Sequence, residues 1–293
     1  MIAVRAETAG AARGTTDGAG DRWQSALRYL DRLARRHWTI LLPAAFAAVV
    51  RLALLPWMGE PLPATQDEFS YLLAGDTFSH GRLTNPMHPL WRFFETMHVL
   101  SVPTYASKYQ AGPAVFLALG ERAFGHPFFG VILETALFVA AVTWMLRAWA
   151  PPGFSLTGGL LTAIEFGAGH YWLESYFGSE ASAAGAALVI GALGRIRSQG
   201  RLTMEWPLAA GIVLIWFTRP FEGGFLVLAV GFVLLWSLVR HRVSVNATFM
   251  AVLAACGMAT LALQGYYDYR VTGSATTLPY SLDERQYSYA PAL

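Results

Sequence analysis

Cysteine and lysine each occur once in this chain, and charge of either sign is sparse. Cys256 stands alone inside an apolar run. That excludes an internal disulfide and a thiolate metal site, and marks the residue as a small buried apolar group. Lys108 is the only lysine, beside 20 arginines. Charged residues make up 14% of the chain, whereas soluble domains carry about 25%. A glycine-rich phosphate loop, an Asp-x-Asp metal–nucleotide motif and a soluble domain able to hold a nucleotide sugar are all missing. No secretory h-region or cleavage site opens the sequence, and no repeat of about 20–50 residues runs through it. A net charge of +2, with the arginines scattered, gives no reason to expect nucleic acid.

What the chain has instead is apolar length. It is 55% hydrophobic, with a mean hydropathy of +0.40, and its ten tryptophans and 12 tyrosines suit two membrane interfaces. The expected fold is an all-α polytopic membrane protein of about seven or eight transmembrane helices, with a long first extracytoplasmic loop containing short interfacial helices. Candidate spans are 38–57, 110–124, 127–149, 155–173, 176–194, 206–220, 221–239 and 245–264. Their parity does not close. With the 58–108 loop outside and Arg195 inside, an odd number of crossings must separate them, yet four are counted. One of 110–124, 155–173 or 176–194 is therefore read as a half-span or re-entrant segment, which is tolerated where it lines a protein cavity.

Three regions follow. Residues 1–36 form a cytoplasmic N-terminus, disordered over 1–20 and then a basic amphipathic helix. In that helix Trp23, Leu27, Leu30 and Leu33 alternate with Arg22, Arg28, Arg32, Arg35 and Arg36. Residues 37–264 form the transmembrane module. Residues 265–293 form an extracytoplasmic segment with a tyrosine cluster, a short extended piece and a turn at Gly273-Ser274, read as C-terminally truncated. Arginines at 195, 197, 201, 240 and 242 set the cytoplasmic loops.

Chemistry concentrates in the 58–108 loop. Thr65-Gln-Asp67-Glu68 reads as a capping box with Glu68 folding back on Thr65, which leaves Asp67 the freer carboxylate to deprotonate a hydroxyl. Lys108 re-enters the membrane on the side that disfavours cations, where a lipid phosphate is its natural partner. Between them Arg82, His88, Trp91, Arg92 and His98 form an aromatic and basic stretch; the histidines at 80, 88 and 98 lack metal-ligand spacing. Arg219 and Glu222, in Thr-Arg-Pro-Phe-Glu-Gly-Gly, are placed at the outer face as an ion pair or an anion contact. Glu165, His170 and Glu174 are read as one helix face lining a cavity.

These segments resemble one group. Asp67-Glu-Phe-Ser-Tyr71-Leu-Leu after the first span, Pro103-Thr-Tyr-Ala-Ser-Lys108-Tyr109 before the next, and Arg219-Pro-x-x-Gly between later spans are similar to the family-39-like membrane glycosyltransferases of the C superfamily. That group includes protein O-mannosyltransferases and the transferase that adds aminoarabinose to lipid A. The resemblance covers most of residues 38–290. It implies a multi-pass enzyme of the bacterial inner membrane that moves a sugar, with inversion, from a polyprenyl-phosphate carrier to a lipid, glycan or protein acceptor outside. On that reading Asp67 is the catalytic base and Lys108 meets the carrier phosphate. Glu68, Tyr71, Arg82, His98, Tyr109, Arg219 and Glu222 are further substrate contacts. No cofactor or metal is implied. Lys108-Tyr-Gln-Ala-Gly-Pro113 departs from the commoner Lys-Pro-Pro pattern. The alternative is a transporter or flippase-like protein using Glu165, His170, Glu174 and Arg219 as a path.

Overall fold

The computed structural model describes residues 17–200, 202–244 and 246–287. Helix α1 (Asp17–Ala34) precedes a short 3-10 turn and α2 (Leu41–Met58). Next come α3 (Gln66–Ser79), three short strands β1 (Asn85–Pro86), β2 (Val99–Leu100) and β3 (Thr104–Ser107), and α4 (Ala111–Phe124). The remainder is helical: α5 (Phe128–Leu146), α6 (Pro152–Glu165), α7 (Ser179–Gln199), α8 (Glu205–Thr218), α9 (Pro220–Val239), α10 (Ala247–Thr272) and α11 (Pro279–Tyr287).

Among the described residues, four helices are long and apolar enough to cross a membrane: His37–Met58, Phe128–Leu146, Pro220–Val239 and Ala247–Thr272. They mark the chain as membrane-embedded. Their surfaces agree: Phe225, Leu228 and Phe232 of α9 point outward, a pattern that suits lipid rather than water. Helices α4, α6 and α8 have 14 residues each, a rise of about 21 Å against a hydrocarbon core of about 30 Å.

Helix α5 runs antiparallel to α2. At its end the Arg147 guanidinium donates to the carbonyls of Arg36 and His37. At its start Phe128 packs 4.5 Å from the Arg51 guanidinium. Helix α7 sits centrally, against α5 on one side and α8 on the other. It approaches α8 through paired glycines: a Cβ on Gly185 would lie 2.8 Å from the Gly211 carbonyl oxygen, and one on Gly211 2.7 Å from that of Gly185. Small residues permit this closeness where apolar burial gives helices little reason to associate.

Several expectations need correction. The 155–173 span breaks at Glu165, because Gly167 and Gly169 follow and Gly169 adopts φ +87°. Glu165, His170 and Glu174 therefore do not share a helix face; Glu165 is exposed. The segment after Gln264 is not extended: α10 continues to Thr272 and stops where Gly273 takes the left-handed conformation. The long loop is not purely helical either, since β3 lies between β1 and β2 and pairs antiparallel with both, Asn85 opposite Tyr105 and Val99 opposite Ser107. Of the amphipathic pattern, Arg22, Arg28 and Arg32 in α1 and Arg35 and Arg36 just after it are all exposed. The side chains of Trp23, Leu27 and Leu30, and residues 1–16 of the expected disordered stretch, lie outside the described residues.

Candidate functional site

The two acids that open α3 separate completely. Thr65 is the N-cap in an extended conformation, and the capping box forms. Glu68 Oε2 accepts from the backbone N–H groups of Ala64 and Thr65 at 2.9 and 3.1 Å, while Oε1 accepts from Tyr176 N–H at 3.1 Å. The side chain is buried with both oxygens occupied, so the expected substrate contact by Glu68 is withdrawn. Its carboxylate caps the start of α3 and ties that helix to the segment before α7.

Asp67, one residue earlier, points the other way and is about one-third exposed. Its Oδ1 accepts a short hydrogen bond from the Tyr109 hydroxyl and lies 3.2 Å from His98 Nε2. Burial, then the bond to Asp67, raises the Tyr109 phenol above the ordinary tyrosine range, so it serves as a donor at neutral pH. Tyr71 stacks on Tyr109 with ring centroids 4.6 Å apart. Its own phenol is pushed up to about 12, chiefly by burial.

What brings the two ends of the loop together is the carbonyl of His98. It accepts from Ser70 Oγ at 2.6 Å and from Lys108 N–H at 3.2 Å, and Ser70 Oγ lies 2.7 Å from Ser107 Oγ. Helix α3, the turn at 98 and strand β3 are thereby joined. His98 adopts φ +65°, a conformation uncommon for a residue with a Cβ, and such backbone often marks functional sites. Its Nδ1 is buried with no hydrogen-bond partner.

A cavity of about 670 Å³ opens beside this group, lined by Gln66, Glu95, His98, Lys108, Asp283 and Glu284 among others. Asp67 does not line it, but its chain neighbour Gln66 and its side-chain neighbour His98 do. Lys108 is in place, yet it is not the free cation expected. Its Nζ lies 3.0 Å from Asp283 Oδ2 and 3.8 Å from Glu284 Oε1, both on α11. An apolar groove of about 620 Å³ lies between α3, α4, α8 and α10 and includes Phe78, Ala111, Val115, Phe217 and Leu263.

The other expected residues are placed as follows. Arg219 and Glu222 pair at 3.3 Å and are both exposed. The end of α8 packs on the start of α4, where a Cβ on Gly112 would lie 2.5 Å from the Phe217 carbonyl, and the charges of Arg219 and Glu222 both reach the Tyr71 phenol. Arg82 is exposed and does not line the cavity. Glu174 is held by Arg51 in two hydrogen bonds of 2.8 and 2.9 Å, and Arg51 also donates to the Gly59 carbonyl.

Arg51 was missed, although a lone arginine inside the first apolar run was a usable signal. Glu134, the only acid within α5, was missed too: it is fully buried and caps α7 by accepting from Ala181 N–H at 2.7 Å. Among the described residues, Asp76, His80 and Glu121 form the one group of three metal-ligating side chains with ligand atoms within 4.8 Å of each other. It lies toward the opposite end of α3 from Asp67, with Asp76 and His80 exposed. Comparison with protein-family models, curated proteins and solved structures finds no match to this chain.

Proposed function

We propose that this chain is an integral-membrane glycosyltransferase of the family-39-like type, moving a sugar from a polyprenyl-phosphate carrier to an extracytoplasmic acceptor. The observation that carries the reading is the convergence of Asp67 with Tyr109 and His98, next to the cavity that His98 and Lys108 line, from positions as much as 42 residues apart in the chain. Asp67 Oδ1 is engaged by the tyrosine and faces the histidine, which leaves Oδ2 to take a proton. The acceptor hydroxyl loses its proton to Oδ2 as its oxygen bonds to the anomeric carbon. The bond from that carbon to the carrier oxygen breaks on the opposite face, and its electron pair leaves with the phosphate. Attack opposite the leaving group inverts the anomeric centre. Because the leaving group is already an anion, one positioned base plus positive charge suffices, with no nucleotide.

Two features support this. The apolar groove between α3, α4, α8 and α10 suits an isoprenoid chain, and Ala111 on its wall follows Tyr109 by two residues. The contacts also allow a topology with correct parity, in which α2, α5, α6, α7, α8, α9 and α10 cross while α3 and α4 pack side by side at the outer end. Three crossings, α5 to α7, then separate the 58–108 loop from Arg195. The N-terminus falls in the cytoplasm of the bacterial cell and the cavity outside.

Asp67→Asn tests the chemistry. Transfer from polyprenyl-phosphate sugar to acceptor by purified protein should fall by about 10²–10⁴-fold, with unchanged thermal unfolding. Activity within a factor of about three of wild type would remove Asp67 as the base.

A further inference from the structure

As it stands in the structure, Lys108 is not open to a phosphate. The Lys108 and Asp283 side chains are each only 7% exposed, Glu284 adds a second carboxylate at 3.8 Å, and the Tyr280 ring lies 4.9 Å from the ammonium. All three partners belong to α11, a nine-residue helix joined to α10 by the turn after Gly273. Among the described residues, its other hydrogen bonds to the loop include two exposed ones of 3.3 Å each: Gln286 Nε2 to the Val102 carbonyl and the Tyr287 hydroxyl to Glu95 Oε1. The ion pair with Lys108 is thus its principal polar anchor.

Charge makes the consequence specific. Glu95, Asp283 and Glu284 line the same cavity as the one lysine, so with α11 seated the cavity is acidic. A phosphate entering beside those carboxylates would meet like charge, whereas a phosphate replacing them on Lys108 would gain a charge-assisted bond. The two anions compete for one ammonium.

We propose that α11 is an internal competitor for the carrier phosphate. Asp283 and Glu284 hold Lys108 when no carrier is present, and binding of the phosphate headgroup displaces α11 and opens the cavity to the acceptor. This rests on the carrier reading above and adds a control to it. The carrier would thereby uncover the acceptor site itself.

The test is binding of undecaprenyl phosphate to the full chain in detergent, with thermal unfolding as a check that each variant is folded. The Asp283→Asn/Glu284→Gln double variant should bind roughly tenfold tighter than wild type, the scale of one competing charge-assisted interaction. Inorganic phosphate should show the same preference at lower affinity, which assigns the competition to the headgroup. Undecaprenol, which lacks the phosphate, should bind both proteins alike, and an equal gain for it would overturn the proposal. If the double variant does not fold, Glu284→Gln alone, at the longer and more exposed contact, should show a smaller gain of the same sign. Wild type binding undecaprenyl phosphate as tightly as the folded variants sinks the competition and leaves the carrier reading standing. Folded wild type and variants that all fail to bind it sink both.

Discussion

At the scale of single residues, Asp67 and Glu68 show how adjacent, chemically similar side chains acquire opposite roles. Consecutive residues at a helix start point about 100° apart. One carboxylate therefore turns back onto the N-cap and Tyr176 while the other faces Tyr109 and His98. Glu68→Ala removes the cap and several hydrogen bonds to a buried carboxylate, so it should lower stability by about 3 kcal/mol. Thermal unfolding in detergent measures this, and Asp67→Asn is the control that should not move it. Tyr71 gives a pH prediction. Its phenol, on α3 and outside the four apolar spans, is pushed up to about 12 by burial, whereas in the unfolded chain it titrates near 10. Between those values the folded state holds the proton that the unfolded state has lost, so stability falls as pH rises. The melting temperature should therefore decline from about pH 10 to 12 more steeply in wild type than in Tyr71→Phe. Parallel curves would show that this phenol contributes nothing to the alkaline limb.

At the scale of elements, the site depends on the N-terminal part of α3 being fixed at two points. Glu68 ties its start to the segment before α7, and Ser70 ties it to the turn at His98 and to β3. The small sheet aligns Lys108 and Tyr109 as the chain enters α4. Strand β3 ends at Ser107, whose hydroxyl accepts from Tyr109 N–H at 3.1 Å. The residue types around β2 and β3 (Val99, Leu100, Val102, Thr104 and Tyr105) favour strands, a local signal that the apolar periodicity on either side obscured. The buried Arg51–Glu174 pair similarly fixes the irregular stretch between α6 and α7 against the end of α2. Breaking such a buried pair costs more than forming it contributes, because one charge is left without a partner.

At the scale of the whole molecule, the question is which helices cross. In the proposed topology, with α4 beside α3 at the outer end, residues 95 and 284 are placed outside and 197 inside. In a Cys256→Ala background, Glu95→Cys and Glu284→Cys should react with a membrane-impermeant maleimide in intact cells. Arg197→Cys should react only after permeabilisation. The reverse pattern at 197 would mean an even number of crossings between the loop and that residue, and would sink the proposed parity.

Sequence alone determined the membrane class, the capping box, the distinct roles expected of Asp67 and Glu68, and the approximate position of most helices. Each of these depends on composition or on neighbours a few residues apart, and helical hydrogen bonding is local. It did not determine where short apolar stretches end, because a 14-residue helix followed by turns has nearly the same average hydropathy as a span. Only the tertiary structure decided that Tyr109 and His98 flank the Asp67 carboxylate, that His98 and Lys108 line one cavity, and that Lys108 is already paired. The anions on Lys108 come from Asp283 and Glu284, about 175 residues away. Which distant charge reaches a given ammonium is set by the packing of several helices at once, and local sequence carries no trace of it.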